Sequence, residues 1–228
     1  MATTAQSVIR RAAETLQDLS AVRWSTAELV RYLNDGQRET VMYRPDATST
    51  NATFTCVAGA RQTLPTAAAR LIEINRNVAV SSSKQAIRLV NRNLLDHQVP
   101  NWQNESTTVN IKHYMYDPLD RTVFYVYPPA NVLAQLNVVY AALPTDITEP
   151  AGGTTFSSVS GNISLPDTFA NSLCDYVLYR AYAKDTEQQG NAARAQAHFA
   201  AFGAALGVEL NTAKGVSPSP LGNPRHAA

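Results

Sequence analysis

Leu165–Asp185, LPDTFANSLCDYVLYRAYAKD, is the segment on which the architecture turns. Pro166 and Asp167 are helix-start chemistry, because proline has no N–H to leave unpaired in a first turn and an acid suits the positive end of the helix dipole. Phe169, Leu173, Tyr176, Val177 and Ala181 then recur at steps of three and four, and Leu178, Tyr179 and Tyr182 add a second apolar flank. Two flanks predict two packing partners. One is the next segment, where Ala195, Phe199, Phe202 and Leu206 form a matching stripe beyond the polar break Gln188-Gln189-Gly190-Asn191. The pair reads as an antiparallel helical hairpin.

The other partner lies far upstream. Ser25 and Glu28 have capping-box spacing, in which each side chain satisfies an end amide near the other. The helix they open, Thr26 to about Tyr43, carries Leu29, Val30, Leu33 and Val41 on one side. A further helix, roughly Thr4 to Leu19, precedes it with Val8, Ile9, Ala12, Ala13 and Leu16. Arg10 and Arg11 in a segment with no acid before Glu14 imitate an organelle transit peptide, but the apolar spacing assigns it to the fold. Both ends of the chain are therefore helical.

Between them the period changes. Pro45 stops the helix, and Asp46–Asn51 is turn chemistry. Strands are predicted at Thr53–Val57, Gln62–Leu64, Leu71–Asn75, Ile87–Asn91, Val109–Tyr116, Thr122–Tyr127 and Gln135–Ala141. The last three alternate most clearly. Joined by turns at Asp117–Asp120 and Pro128–Asn131, they are expected to form an antiparallel meander. Asn93–His97 adds one helical turn before a Pro100-Asn101-Trp102 loop, and Ala151–Gly161 is a flexible return.

The order helices, strands, helices predicts an α+β fold: N- and C-terminal helices forming one helical bundle, with an inserted small antiparallel β-domain. The divisions are 1–45 for the N-terminal helices, 46–150 for the β-rich insertion, 151–212 for the C-terminal hairpin and 213–228 for an extended arm.

Composition narrows the function. The 228 residues suffice to bury a core without staples. A net charge of +1 lacks the basic excess that sequence-reading DNA proteins concentrate on one face. No apolar run approaches the roughly 18 residues that cross a bilayer. Cys56 and Cys174 are read as buried thiols.

Candidates for chemistry have plain structural readings. His113 near Asp117 and Asp120 lacks a placed nucleophile and is expected to be satisfied by a backbone group. Asp96-His97 shares no ligand geometry, His198 stands alone on its helix, and no metal spacing emerges. Gly152-Gly153-Thr154-Thr155 lacks the lysine of a phosphate loop. Glu28, Asp35 and Glu39 are acids on a helix, where solvated charge is the usual state. Tyr114, Tyr116, Phe124, Tyr125 and Tyr127 lack the interleaved Arg and Lys of a single-strand nucleic-acid platform, so cross-strand pairing accounts for them better. Neither an enzymatic role nor a cofactor is expected.

WSTAELVRYLNDGQRETVMYRPDA, then YDPLDRTVFYVYPPA, LPTDI, and ISLPDTFANSLCDYVLYRAYAKDTE before an alanine-rich helix, taken in this order, resemble the head-to-tail adaptor (connector or head-completion) proteins of tailed bacteriophages over about Trp24–Leu206. The resemblance implies a virion structural protein of the neck, assembled in the host cytoplasm. Its subunits would form a homo-oligomeric ring of twelve between the portal protein and a tail or nozzle protein, with DNA passing through the lumen. The helices would form the ring body, the β-insertion would face the tail or outer side, and the carboxyl arm would reach into the portal.

KGVSPSPLGNPRHAA, residues 214–228, fits such an arm on its own chemistry: too rich in Pro, Gly and Ser to pack, and stiffened by three prolines. Val216, Pro218, Pro220, Leu221, Pro224 and Arg225 are the docking candidates. Two other classes are a tail or baseplate binding module and a tail-associated cell-wall hydrolase. Binding to a host glycan rather than a portal ring would mark the first. Acid-dependent activity on peptidoglycan would mark the second.

Overall fold

The computed structural model describes residues 3–150 and 155–207. In chain order its elements are α1 (Ala5–Leu16), α2 (Thr26–Tyr43), β1 (Ser49–Thr55), β2 (Gly59–Thr63), β3 (Ala68–Asn77), β4 (Arg88–Leu89), α3 (Arg92–Gln98), β5 (His113–Tyr116), β6 (Val123–Ala130), β7 (Gln135–Ala142), α4 (Ala170–Lys184) and α5 (Asn191–Ala205). The fold is α+β, with helices at both ends of the described chain. Contacts divide it into two compact units: residues 3–48 with 144–150 and 155–207, and residues 49–143.

In the first unit α4 is the hub. It packs on α5, α1 and α2, so the two apolar flanks take three partners rather than two. Leu173, Val177 and Ala181 are fully buried in it, as are Val8, Ile9 and Ala12 of α1 and Val30 and Leu33 of α2. A short turn precedes the regular helix. Asp167–Phe169 forms a 3-10 turn before α4, and Asp167 accepts from the Thr3 N–H (2.6 Å) instead of capping its own helix. Ser25 does cap α2, its Oγ accepting from the Glu28 N–H (3.2 Å). Glu28 does not return the favour across the box, because Tyr32 and Lys184 draw its carboxylate away.

Gly36 sets how closely α2 and α4 approach. A Cβ built there would stand 2.8 Å from Tyr176 Cδ1 and 3.4 Å from Leu173 Cδ2, whereas one at Gly203 in α5 meets nothing within 4 Å. An alanine in a helix interior is worth about 1 kcal/mol over glycine, and overpacking a core costs about 1–3 kcal/mol. Gly203→Ala is therefore expected to raise the urea midpoint of unfolding and Gly36→Ala to lower it. A gain at both positions would show that helix proximity does not constrain Gly36.

The chain returning from the β-unit is tied to α2 by buried amides. Asn34 donates to the Ile147 carbonyl (3.0 Å) and accepts from its N–H (2.9 Å), and Gln37 accepts from the Ser164 N–H (2.7 Å). Residues 155–161, expected as flexible return, are anchored instead: Phe156 and Val159 are buried, and the Gly161 carbonyl accepts from the Ala5 N–H (3.0 Å).

The second unit has a three-stranded sheet, β1-β7-β3, and a four-stranded sheet, β2-β6-β5-β4. Leu71 and Ile74 of β3, Leu136 and Val138 of β7, and Phe124 and Val126 of β6 close one core with Phe54, Tyr114 and Ile111. The other face of β6 and β5 packs Tyr125, Tyr127 and Met115 on Leu95 and Trp102.

β5 and β6 form the expected hairpin. The meander is not formed, because β7 leaves that sheet to lie between β1 and β3. Pro128 and Pro129 continue β6 rather than turn, and the chain reverses at Asn131–Ala134. Both edges of β6 are taken, by β2 and β5, so β7 pairs in the other sheet and buries its apolar side in the core shared with β6. One two-residue pair, β4 with β5, is parallel within an otherwise antiparallel set of strand pairs. Val109–Lys112 is not strand either. The fully buried Asn77 side chain donates to the Ile111 carbonyl (2.8 Å) and accepts from its N–H (2.9 Å), standing in for a strand.

Candidate functional site

α2 and α4 meet along a seam of charges set at helical spacing. Tyr32 Oη donates to Glu28 (2.6 Å), Lys184 pairs with Glu28 (2.8 Å), and Arg180 lies over the Tyr32 ring (5.3 Å) and 3.7 Å from Asp35. Arg38 bonds both Asp35 (3.2 Å) and Asp146 (2.5 Å), and Arg31 bonds Glu149 (3.0 Å). Burial alone would raise the Glu28 carboxyl, but hydrogen bonds from Lys184 and Tyr32, with the Lys184 charge, leave it below its ordinary range. Burial, with the same Glu28 contact, pushes Tyr32 up to about 12. Pairs this exposed contribute about 0–1 kcal/mol each, so the seam sets geometry and surface character more than stability.

A polar cleft opens where the α1–α2 corner meets the α4–α5 turn, lined by Thr15, Gln17, Asp18, Arg23, Trp24, Tyr182, Gln188, Asn191 and Arg194. Asp18 builds its floor by accepting from the N–H groups of Val22 (2.9 Å), Arg23 (2.8 Å) and Trp24 (2.9 Å). Burial opposes its charge, and these three donors with Arg23 outweigh that to depress its pKa. Trp24 Nε1 donates to the Ala181 carbonyl (3.2 Å), Arg23 is hydrogen-bonded to Asp185, and Asn191 binds the same carboxylate (2.8 Å). Arg194 lies over the Tyr182 ring, 5.7 Å from its centroid.

The residues singled out from the sequence are dispersed. His113 is not satisfied by a backbone group. It stacks on Tyr127 (centroids 6.3 Å apart, planes 8°), its buried Nδ1 has no hydrogen-bond partner among the described residues, and burial with nearby Arg88 and Lys112 lowers its pKa. Asp117 accepts from the Leu119 N–H (2.9 Å) within its own turn. His198 is not alone, since its Nδ1 lies 2.9 Å from Asp175 Oδ1 and its ring stacks on Tyr182. Asp96 accepts from Trp102 Nε1 (2.7 Å). Glu28 and Asp35 belong to the seam. Both cysteines are free and buried, which raises the Cys56 thiol to about 12 and the Cys174 thiol to about 11. Among the described residues no three His, Cys, Asp or Glu side chains gather as a metal site, and no helix is long and apolar enough to cross a membrane. Val216, Pro218, Pro220, Leu221, Pro224 and Arg225, together with Gly152–Thr154, lie outside the described residues.

Sequence reading missed Asp18 and the Asp175–His198 pair. The first had a signal, an acid just past a helix end followed by a short loop, as in side-chain-capped turns. The second needed the hairpin register. What the arrangement can do chemically is present fixed, paired charges and polar contacts to another macromolecule. A family model described as SU10 adaptor protein matches residues 3–223 of the chain. A search of curated proteins found no match.

Proposed function

The chain belongs to the SU10 adaptor protein family, and from that membership we propose that it is a subunit of the adaptor ring in a bacteriophage neck, joining portal to tail and continuing the DNA channel. The observation that carries this reading is the extent of the match, which takes in both terminal helical segments, the β-unit and most of the carboxyl arm. The role is structural: surfaces and a channel rather than a reaction. Twelve copies would encircle the axis, with the helical unit as the ring body, the β-unit facing the tail or outer side and the arm entering the portal. DNA has to slide through such a lumen, and a near-neutral chain of net charge +1 suits this better than a lysine-rich one that would pair with phosphates.

Electron microscopy of the purified chain, with and without purified portal rings, tests the proposal. A single added ring on one face of the portal, with twelvefold averages, is the expected image. Portal rings that stay bare at saturating concentrations of the chain would rule the proposal out.

A further inference from the structure

The two sheets of the β-unit present four outer edges, and three are blunted in the ways β-proteins use against unwanted strand addition. β3 carries Arg70, Glu73 and Arg76, and its register against β7 shifts three times. Its outer side is overlaid by the chain, with Leu71 N–H donating to the Arg121 carbonyl (3.1 Å), Asn77 N–H to Gln85 (3.0 Å) and Ile87 N–H to Asn75 (3.0 Å). β4 is two residues long. β2 has five residues, contains Arg61 and breaks register after Gly59. β1, STNATFT, differs on each count. Its seven residues include no charge and no proline, and they pair with β7 without a shift from Ser49–Ala141 to Thr55–Gln135. Among the described residues no strand lies on its other side.

We propose that β1 is the edge through which two copies of this chain pair, antiparallel, about a two-fold axis at Ala52. The segment is complementary to itself in that register. Ser49 meets Thr55 and Asn51 meets Thr53 on the exposed face; Asn51 Oδ1 already accepts from Asn137 Nδ2 (2.5 Å), which leaves the Asn51 Nδ2 to donate to the Thr53 hydroxyl across the new pair. On the half-buried face Thr50 meets Phe54 and Ala52 meets Ala52. Aromatic and β-branched side chains are favourable neighbours there, and Phe54 is already fixed edge-on against Phe124 (5.5 Å). Ala52 alone faces its own copy across the axis, and it carries no charge that would repel itself there. Pairing joins the two three-stranded sheets into one and closes both open edges, so the assembly stops at two copies. A two-fold contact cannot repeat around a single ring axis. The pair is therefore a state of the free chain, separate from the ring reading and independent of it.

Native mass spectrometry of the full chain reads the outcome without any portal present. The expected species has twice the 24.7 kDa chain mass. Asn51→Lys with Thr53→Lys sets like charges directly opposite at two places and is expected to weaken pairing about tenfold or more, whereas Asn51→Asp with Thr53→Lys sets opposite charges there and preserves it. Both substituted positions lie on the exposed face, and circular dichroism confirms that each variant is folded. A monomer, rings with no two-copy species, or double variants that associate alike would each overturn the proposal.

Discussion

Trp102→Ala is expected to destabilise the β-unit by about 3–5 kcal/mol, the range for removing a large buried aromatic from a core that cannot collapse around the space. Trp102 has no solvent exposure and sits in a short 3-10 turn beneath β5 and β6. It packs against Leu95, Met115 and Ala60, and it meets Tyr125 (6.3 Å, 81°) and Tyr127 (6.4 Å, 77°) edge to face. The loss combines the apolar area of the indole with two aromatic contacts of about 0.5–1.5 kcal/mol each. Its hydrogen bond to Asp96 adds less, because that carboxylate is 43% exposed and can return to water. Trp102→Phe keeps most of the packing and is expected to cost about 1–2 kcal/mol, within the range of one hydrogen bond and part of a ring. Urea unfolding monitored by hydrogen exchange of β-unit amides measures both. The remaining tryptophan, Trp24, then reports the helical unit by fluorescence. A Trp102→Ala midpoint matching the parent would mean that the second core contributes little.

Deleting Gly215–Ala228 is expected to abolish attachment to the portal while leaving the unfolding free energy within about 0.5 kcal/mol of the parent, since the deleted sequence offers little apolar area to pack. Pro218, Pro220 and Pro224 each lack an N–H, and the glycines and serines between them offer little apolar area. Val216 and Leu221 are the apolar anchors proposed to seat in a groove between portal subunits, and Arg225 is the charged one. Segments that order on binding lose entropy at that moment, so affinity concentrates in such anchors. The family match runs through residue 223, which includes both apolar anchors. Portal pull-down together with microscopy decides the matter. Normal attachment by the truncated chain would remove the arm from the mechanism and leave the ring reading standing.

Local chemistry made much of this protein legible in its residues. Helical spacing from Val8 to Ala13 and from Leu29 to Val41, the Ser25 cap, the Leu173–Ala181 stripe and the β5–β6 hairpin each depend on neighbours a few positions apart. The α+β order of elements followed from them, and the resemblance of their succession to phage adaptors anticipated the family. Contacts between distant residues were decided only by the folded chain. β7 was assigned to the wrong sheet because alternation says which side of a strand is apolar but not which sheet will cover it. Asn34 with Ile147, Gln37 with Ser164 and Asn77 with Ile111 read in sequence as ordinary polar residues. Asn34 and Asn77 each donate to and accept from an irregular backbone, and Gln37 accepts from one while donating to Asn34; the need for such amides arises only once packing has removed water from that backbone.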